Sequence, residues 1–176
     1  LGNVEPVALN ERGQVIGWYQ DFNEETGEDS QRSFLWQNGK MSALGTLGGE
    51  WTTEWTTAIA INERGQVVGT SDGHAFLWQK GNMRDLGGDS AEANDINERG
   101  QIVGWAHHLG IRAFLWQAGK MTYLGTLGGT DTRAGGINER GQGGGGSETK
   151  ATWGGKGDRG AVEDALLGRE GTLGGL

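Results

Sequence analysis

The string Asn-Glu-Arg-Gly-Gln occurs four times, starting at Asn10, Asn62, Asn97 and Asn138. The copies stand 52, 35 and 41 residues apart, and the first three are each followed by the same two motifs in the same order. One is Phe-Leu-Trp-Gln, from Phe34, Phe76 and Phe114. The other is a Leu-Gly-Gly close, at Leu47, Leu86 and Leu127, which returns at Leu173. A fixed order with variable lengths between motifs marks one supersecondary unit repeated with loop insertions. The 176 residues divide into units of about 3–49, 50–88, 89–129 and 130–176.

The second unit predicts four short strands. Residues from Thr57 to Asn62 form the first, and Asn62-Glu63-Arg64-Gly65 a turn whose Gly takes the left-handed conformation of a three-residue hairpin loop. Gln66 to Gly69, with β-branched Val67 and Val68, is the second strand. His74 to Trp78 is the third, and Lys80-Gly81, matched by Asn38-Gly39 in the first unit, is a hairpin leading into a fourth from Met83 to Leu86. Ala75-Phe76-Leu77-Trp78 is apolar on both faces, as expected of a strand between two layers. Small residues on the first strands (Ala58 and Ala60; Ala93; Ala134, Gly135 and Gly136) suit a crowded centre. The expected fold is therefore all-β: a β-propeller-like array of four-stranded antiparallel blades, about four units in a single repeat domain, the last degenerate. As part of a larger ring, such an array would leave apolar blade faces open at its ends, through which copies could self-associate.

The fourth unit departs from the others. Gly143-Gly144-Gly145-Gly146 replaces the expected Val-Val-Gly, and Val162-Glu163-Asp164 falls at the count where Phe-Leu-Trp should stand. Three readings follow: a loosely packed blade; a short helix over Ala161–Gly168, with Val162, Ala165 and Leu166 at helical spacing; or a flexible linker at Gly-Gly-Gly-Gly-Ser.

Composition closes off several function classes. Lys plus Arg is 15 and Asp plus Glu is 23, a net charge of −8, which argues against nucleic acid and acidic lipid as partners. No apolar run reaches the ~18 residues of a membrane span. With no cysteine, disulfides, thiolate metal sites and a cysteine nucleophile are excluded, while the redox compartment stays open. Glycine supplies 36 residues and proline one, with no Gly-X-Y period, so the chain is not collagen-like. The chain starts at Leu1, with no signal-peptide pattern and no N-glycosylation sequon, and reads as a processed product or a piece of something longer.

Candidate chemistry is sparse, and no cofactor is expected. Gly69-Thr70-Ser71-Asp72-Gly73 fits the nucleophile-elbow pattern but lacks the helix that must follow it, so a hairpin loop is expected. His74 is read as a strand-edge residue. His107 and His108 are adjacent and point opposite ways, a poor metal pair. Asp21, Glu24, Glu25, Glu28 and Asp29 crowd one loop without calcium-site spacing. The glycine strings lack phosphate-loop spacing. The candidate ligand-binding residues are aromatic: Trp18, Tyr19, Trp51, Trp55 and Trp105, joined by His107, with Trp153 in a further loop. Aromatic side chains on loops held by a rigid scaffold can bind sugars or proteins; the competing role is to cap blade packing.

Together, Asn-Glu-Arg-Gly-Gln, His74-Ala75-Phe76 and the Leu-Gly-Gly closes resemble the HAF-repeat family, named for that triplet. The likeness covers 4–142 well and is weaker beyond. Gln31-Arg32-Ser33 and Ile111-Arg112-Ala113 depart from the triplet. The resemblance implies export, to the extracellular space or cell envelope, and it implies no reaction and transfers no catalytic residue. The expected function is a non-enzymatic extracellular scaffold that binds a protein or glycan partner through rim loops. The alternatives are a glycan-active enzyme using loop carboxylates and a purely structural repeat.

Overall fold

The computed structural model describes residues 3–23, 27–48, 55–149, 162–167 and 173–175. These form strands and connections, with no helix among the described residues. The strands make four antiparallel sheets of four, each a meander in chain order. The first holds β1 (Val4–Leu9), β2 (Val15–Asn23), β3 (Glu28–Gln37) and β4 (Lys40–Ala43). The second holds β5 (Thr56–Ile61), β6 (Val67–Ser71), β7 (His74–Gln79) and β8 (Asn82–Asp85). The third holds β9 (Asp89–Ile96), β10 (Ile102–His107), β11 (Ile111–Gln117) and β12 (Lys120–Tyr123). The fourth holds β13 (Gly128–Ile137), β14 (Gly143–Thr149), β15 (Val162–Leu167) and β16 (Leu173–Gly175).

The repeated pentapeptide is a turn in which each residue has a hydrogen-bonding or conformational task. In the second sheet the Asn62 Oδ1 accepts the N–H groups of Arg64 and Gln66, at 3.1 and 3.0 Å. This is the side-chain-to-backbone bonding for which Asn is favoured in turns. Gly65 sits at φ 72°, where a residue with a Cβ is strained. The Asn62 Nδ2 donates to the Gln66 Oε1 (2.8 Å), and the Gln66 Nε2 donates to the Gln79 Oε1 at the end of Phe-Leu-Trp-Gln. The same relay joins Asn10, Gln14 and Gln37, and Asn97, Gln101 and Gln117.

The glycine that ends each Val-Ile-Gly-like segment serves a different purpose. The first strand is irregular opposite Gly17, Gly69, Gly104 and Gly145. There the carbonyls of Glu5, Thr57, Glu92 and Arg133 stand where a Cβ would have to go. A β-bulge lets two residues face one, and the glycine accommodates the kinked carbonyl.

Successive sheets pack face to face. β5 lies over β2 and β3, β9 over β6 and β7, and β13 over β10 and β11. The first strands also contact one another in sequence, β1 with β5, β5 with β9 and β9 with β13, with Ala58 and Ala93 wholly buried. One core holds Ile16 and Leu44 of the first sheet against Val67, Phe76 and Trp78 of the second. The next holds Val68, Ala75 and Leu86 against Ile102, Phe114 and Trp116 of the third. Thus Phe76 and Trp78 face backward while Ala75 and Leu77 face forward, as the doubly apolar strand requires.

The fourth sheet corrects three expectations. Ala161–Gly168 contains no helix where it is described: Val162–Leu167 is β15, paired with β14, and Gly143–Ser147 is sheet rather than linker. The counterpart of Phe-Leu-Trp is also not Val162-Glu163-Asp164. Gly17, Gly69 and Gly104 pair with Phe34, Phe76 and Phe114, whereas Gly145 pairs with Ala165. Ala165-Leu166-Leu167 therefore takes that place. Leu173-Gly174-Gly175 forms the fourth strand itself rather than the segment after it. Counting assumed equal loop lengths, which the inserted residues do not respect.

Candidate functional site

An up-and-down meander sorts its connections onto two ends. The Asn-Glu-Arg-Gly turns and the second hairpins share one end; the other carries the longer loops and the passages between sheets. The described members of the aromatic set lie towards this loop end, and Trp51 and Trp153 lie outside the described residues.

Trp105 organises the densest cluster. It lies inside β10, half-buried, because the strand continues to His107 beyond its Val-Gly segment. Its indole Nε1 donates to the Glu92 Oε1 at 3.2 Å. The Arg133 guanidinium stands 5.5 Å from the ring centroid, and the His107 ring meets it edge-on at 6.4 Å. Both contacts have favourable electrostatics, a cation over a π-face and an edge against a face. Tyr123 lies on the other face of this sheet, towards the second sheet, and His108 stacks flat on it, with centroids 4.3 Å apart.

The loop above this cluster is firmly held. The His108 N–H donates to the Gly110 carbonyl, the Ile111 N–H to the Asp131 carboxylate, and Arg112 to the Thr130 carbonyl. At its tip Leu109 has φ 53° and is 89% exposed. A fully exposed Leu in left-handed backbone has no role in the core, and its φ is unusual for such a residue.

The other candidates are not brought to Trp105. Trp18 occupies the equivalent place in β2, half-buried opposite Glu5 and Ser33, with the second sheet between it and the third. Tyr19 is not in a loop: it lies in β2, 8% exposed, its ring 6.5 Å from that of Phe34. Trp55 is 45% exposed, with its N–H on the Asp72 Oδ1 and its carbonyl accepting the Asp72 N–H. Phe22, 57% exposed at the first sheet's corresponding loop, joins Leu109, Tyr123, Arg133 and Glu92 as residues the sequence did not single out. Phe22, near the end of β2, and Leu109, in the loop after β10, are marked by no motif, while the other three are placed by strand pairing and packing.

The remaining polar candidates have structural partners. The buried Ser71 Oγ accepts the Leu47 N–H and meets the Thr56 hydroxyl. His74 opens β7 with Asp85 3.7 Å away, an ion pair when the imidazole is protonated. Asp21 pairs with Arg32 at 3.6 Å; Glu24 and Glu25 lie outside the described residues. Among the described residues no group of three or more His, Asp or Glu could hold a metal ion, and no helix is long and apolar enough to cross a membrane. No family model matches the chain, and neither the curated proteins nor the solved structures hold a match to it.

Proposed function

We propose that the four sheets are blades of a propeller-like array, and that this array is a non-enzymatic binding scaffold whose loop end engages a protein or glycan partner. Support for the blade reading comes from the shared strand order and from the way each first strand covers the sheet before it. The observation that carries the binding reading is Leu109. It is held out on a loop fixed by hydrogen bonds, above the Trp105–His107–Arg133 cluster. A fixed loop loses little conformational freedom on binding, and the Trp and Arg of the cluster are residue types enriched in contact hot spots. The sequence resemblance to HAF-repeat proteins supports reading such a scaffold as exported, to the extracellular space or the cell envelope.

The test uses the full chain with a photo-crosslinking residue at position 109, and the same residue at position 64 on the turn end as control. The labelled wild-type chain is screened in parallel on a glycan array. The reading expects either adducts at 109 that are absent at 64, or array signals lost in Leu109→Ala and His107→Ala. Adducts at 64 only, or no adduct and no array signal, would overturn it.

A further inference from the structure

The four turns form a hydrogen-bond ladder that runs in one direction. The Asn10 Nδ2 donates to the Asn62 carbonyl, the Asn62 Nδ2 to the Asn97 carbonyl, and the Asn97 Nδ2 to the Asn138 carbonyl, at 2.9, 3.1 and 3.0 Å. Beside it, the N–H groups of Glu11, Glu63 and Glu98 donate to the carboxylates of Glu63, Glu98 and Glu139, at 2.8, 2.6 and 3.0 Å. Every junction thus uses these two donors of one turn and two acceptors of the next, and the first adds the Arg12 guanidinium, which donates to the Glu63 carbonyl.

The two ends are consequently unlike. Among the described residues the Asn10 carbonyl of the first turn accepts only the Gly13 N–H, and the Glu11 carboxylate accepts no hydrogen bond. At the fourth, the Asn138 Nδ2 bonds only its own Gln142, and the Glu139 N–H has no acceptor among the described residues. One end lacks the donors that the other end has to spare.

The acceptor end adjoins an open apolar face. Leu9, Trp36 and Met41 occupy the places of Ile61, Trp78 and Met83, which the first sheet covers. Leu9 is 72% exposed and Trp36 39%, against 8% for Trp78. Among the described strands, none of the first sheet packs substantially on one of the fourth.

We propose that the chain self-associates head to tail, the fourth sheet of one copy seating on the first sheet of the next. The Asn138 Nδ2 and Glu139 N–H of one copy meet the Asn10 carbonyl and Glu11 carboxylate of its neighbour, and Leu9, Trp36 and Met41 are covered. The contact continues the junction already made three times within the chain. A symmetric pairing of two first sheets would set acceptor against acceptor, which is why the interface is heterologous. Gly144 replaces Ile16 in the covering sheet, so the contact is weaker than an internal junction and depends on concentration.

Analytical ultracentrifugation of the full chain over a wide concentration range reads this directly. Leu9→Asp with Glu11→Ala disables the acceptor end; both side chains are exposed, so folding is retained. Asn138→Asp removes the donor but keeps the oxygen that accepts the Arg140 and Gln142 N–H groups. Wild type should gain mass with concentration, each variant alone should stay at the monomer mass, and an equimolar mixture of the two should recover a dimer. A wild type that is monomeric throughout would overturn the proposal. So would an Asn138→Asp chain that associates like wild type, or a mixture that stays monomeric. Circular dichroism confirms that each variant is folded.

Discussion

The first and third sheets are built from nearly the same motifs, yet they hide them differently. Trp116 is 6% exposed and Trp36 39%; Ile96 is 6% exposed and Leu9 72%. Strand order, turn and relay are alike in both. The difference is that the third sheet has the second at its back. A four-stranded sheet cannot bury its own apolar face, so the motif residues gain their hydrophobic stabilisation only from the neighbouring layer. The first sheet compensates at its loop end, where Tyr19 replaces the small Ala106 of the third and shields Phe34, which is 3% exposed. At the turn end no other sheet covers Trp36 among the described residues.

Seven substitutions, three pairs and one single change, break or sharpen that comparison, each measured by urea unfolding followed by far-ultraviolet circular dichroism. Trp116→Ala should destabilise by about 3–5 kcal/mol, the usual range for a buried large aromatic, and Trp36→Ala by less than half as much. Equal losses would mean that the neighbouring layer contributes nothing. Gly69→Ala should cost about 1–3 kcal/mol through collision with the Thr57 carbonyl. Gly17→Ala should cost the same, because its clash lies within its own sheet and needs no neighbour. Asn62→Ala strands buried turn groups and removes a junction bond, for about 1–3 kcal/mol; Asn138→Ala, at the exposed end of the ladder, should fall below about 1 kcal/mol. The smallest effect is a gain. Ala118 holds φ 51° in a hairpin where the first sheet has Asn38 at φ 52°, so Ala118→Asn should stabilise by up to about 1 kcal/mol.

The legible part of the fold was the part governed by local chemistry. Asn-Glu-Arg-Gly, Lys80-Gly81 and the doubly apolar Phe-Leu-Trp each prescribe a turn or a sandwiched strand whatever lies around them. The register of the fourth sheet was not legible, because pairing of Ala165 with Gly145 depends on loop lengths that no motif marks. Nor were the tasks of Glu63 and Glu98 visible, since their carboxylates serve the preceding turn, 52 and 35 residues away. For the candidate site, Trp105 and His107 could be named from their position just after the Ile-Val-Gly segment. Arg133 and Glu92 could not, because separate strands bring them there. Tyr19 lies in a strand rather than a loop because β2 runs on to Asn23, past the Val-Ile-Gly segment that marks it in the sequence.

Hydrogen exchange of four equivalent backbone amides tests most directly whether each turn is clamped by the one after it. Glu11, Glu63 and Glu98 donate across a junction, whereas Glu139 has no such acceptor among the described residues. At a concentration where the chain is monomeric, the first three amides should be protected and that of Glu139 should exchange at the rate of an open turn. Glu63 and Glu98 exchanging as fast as Glu139 would contradict the account.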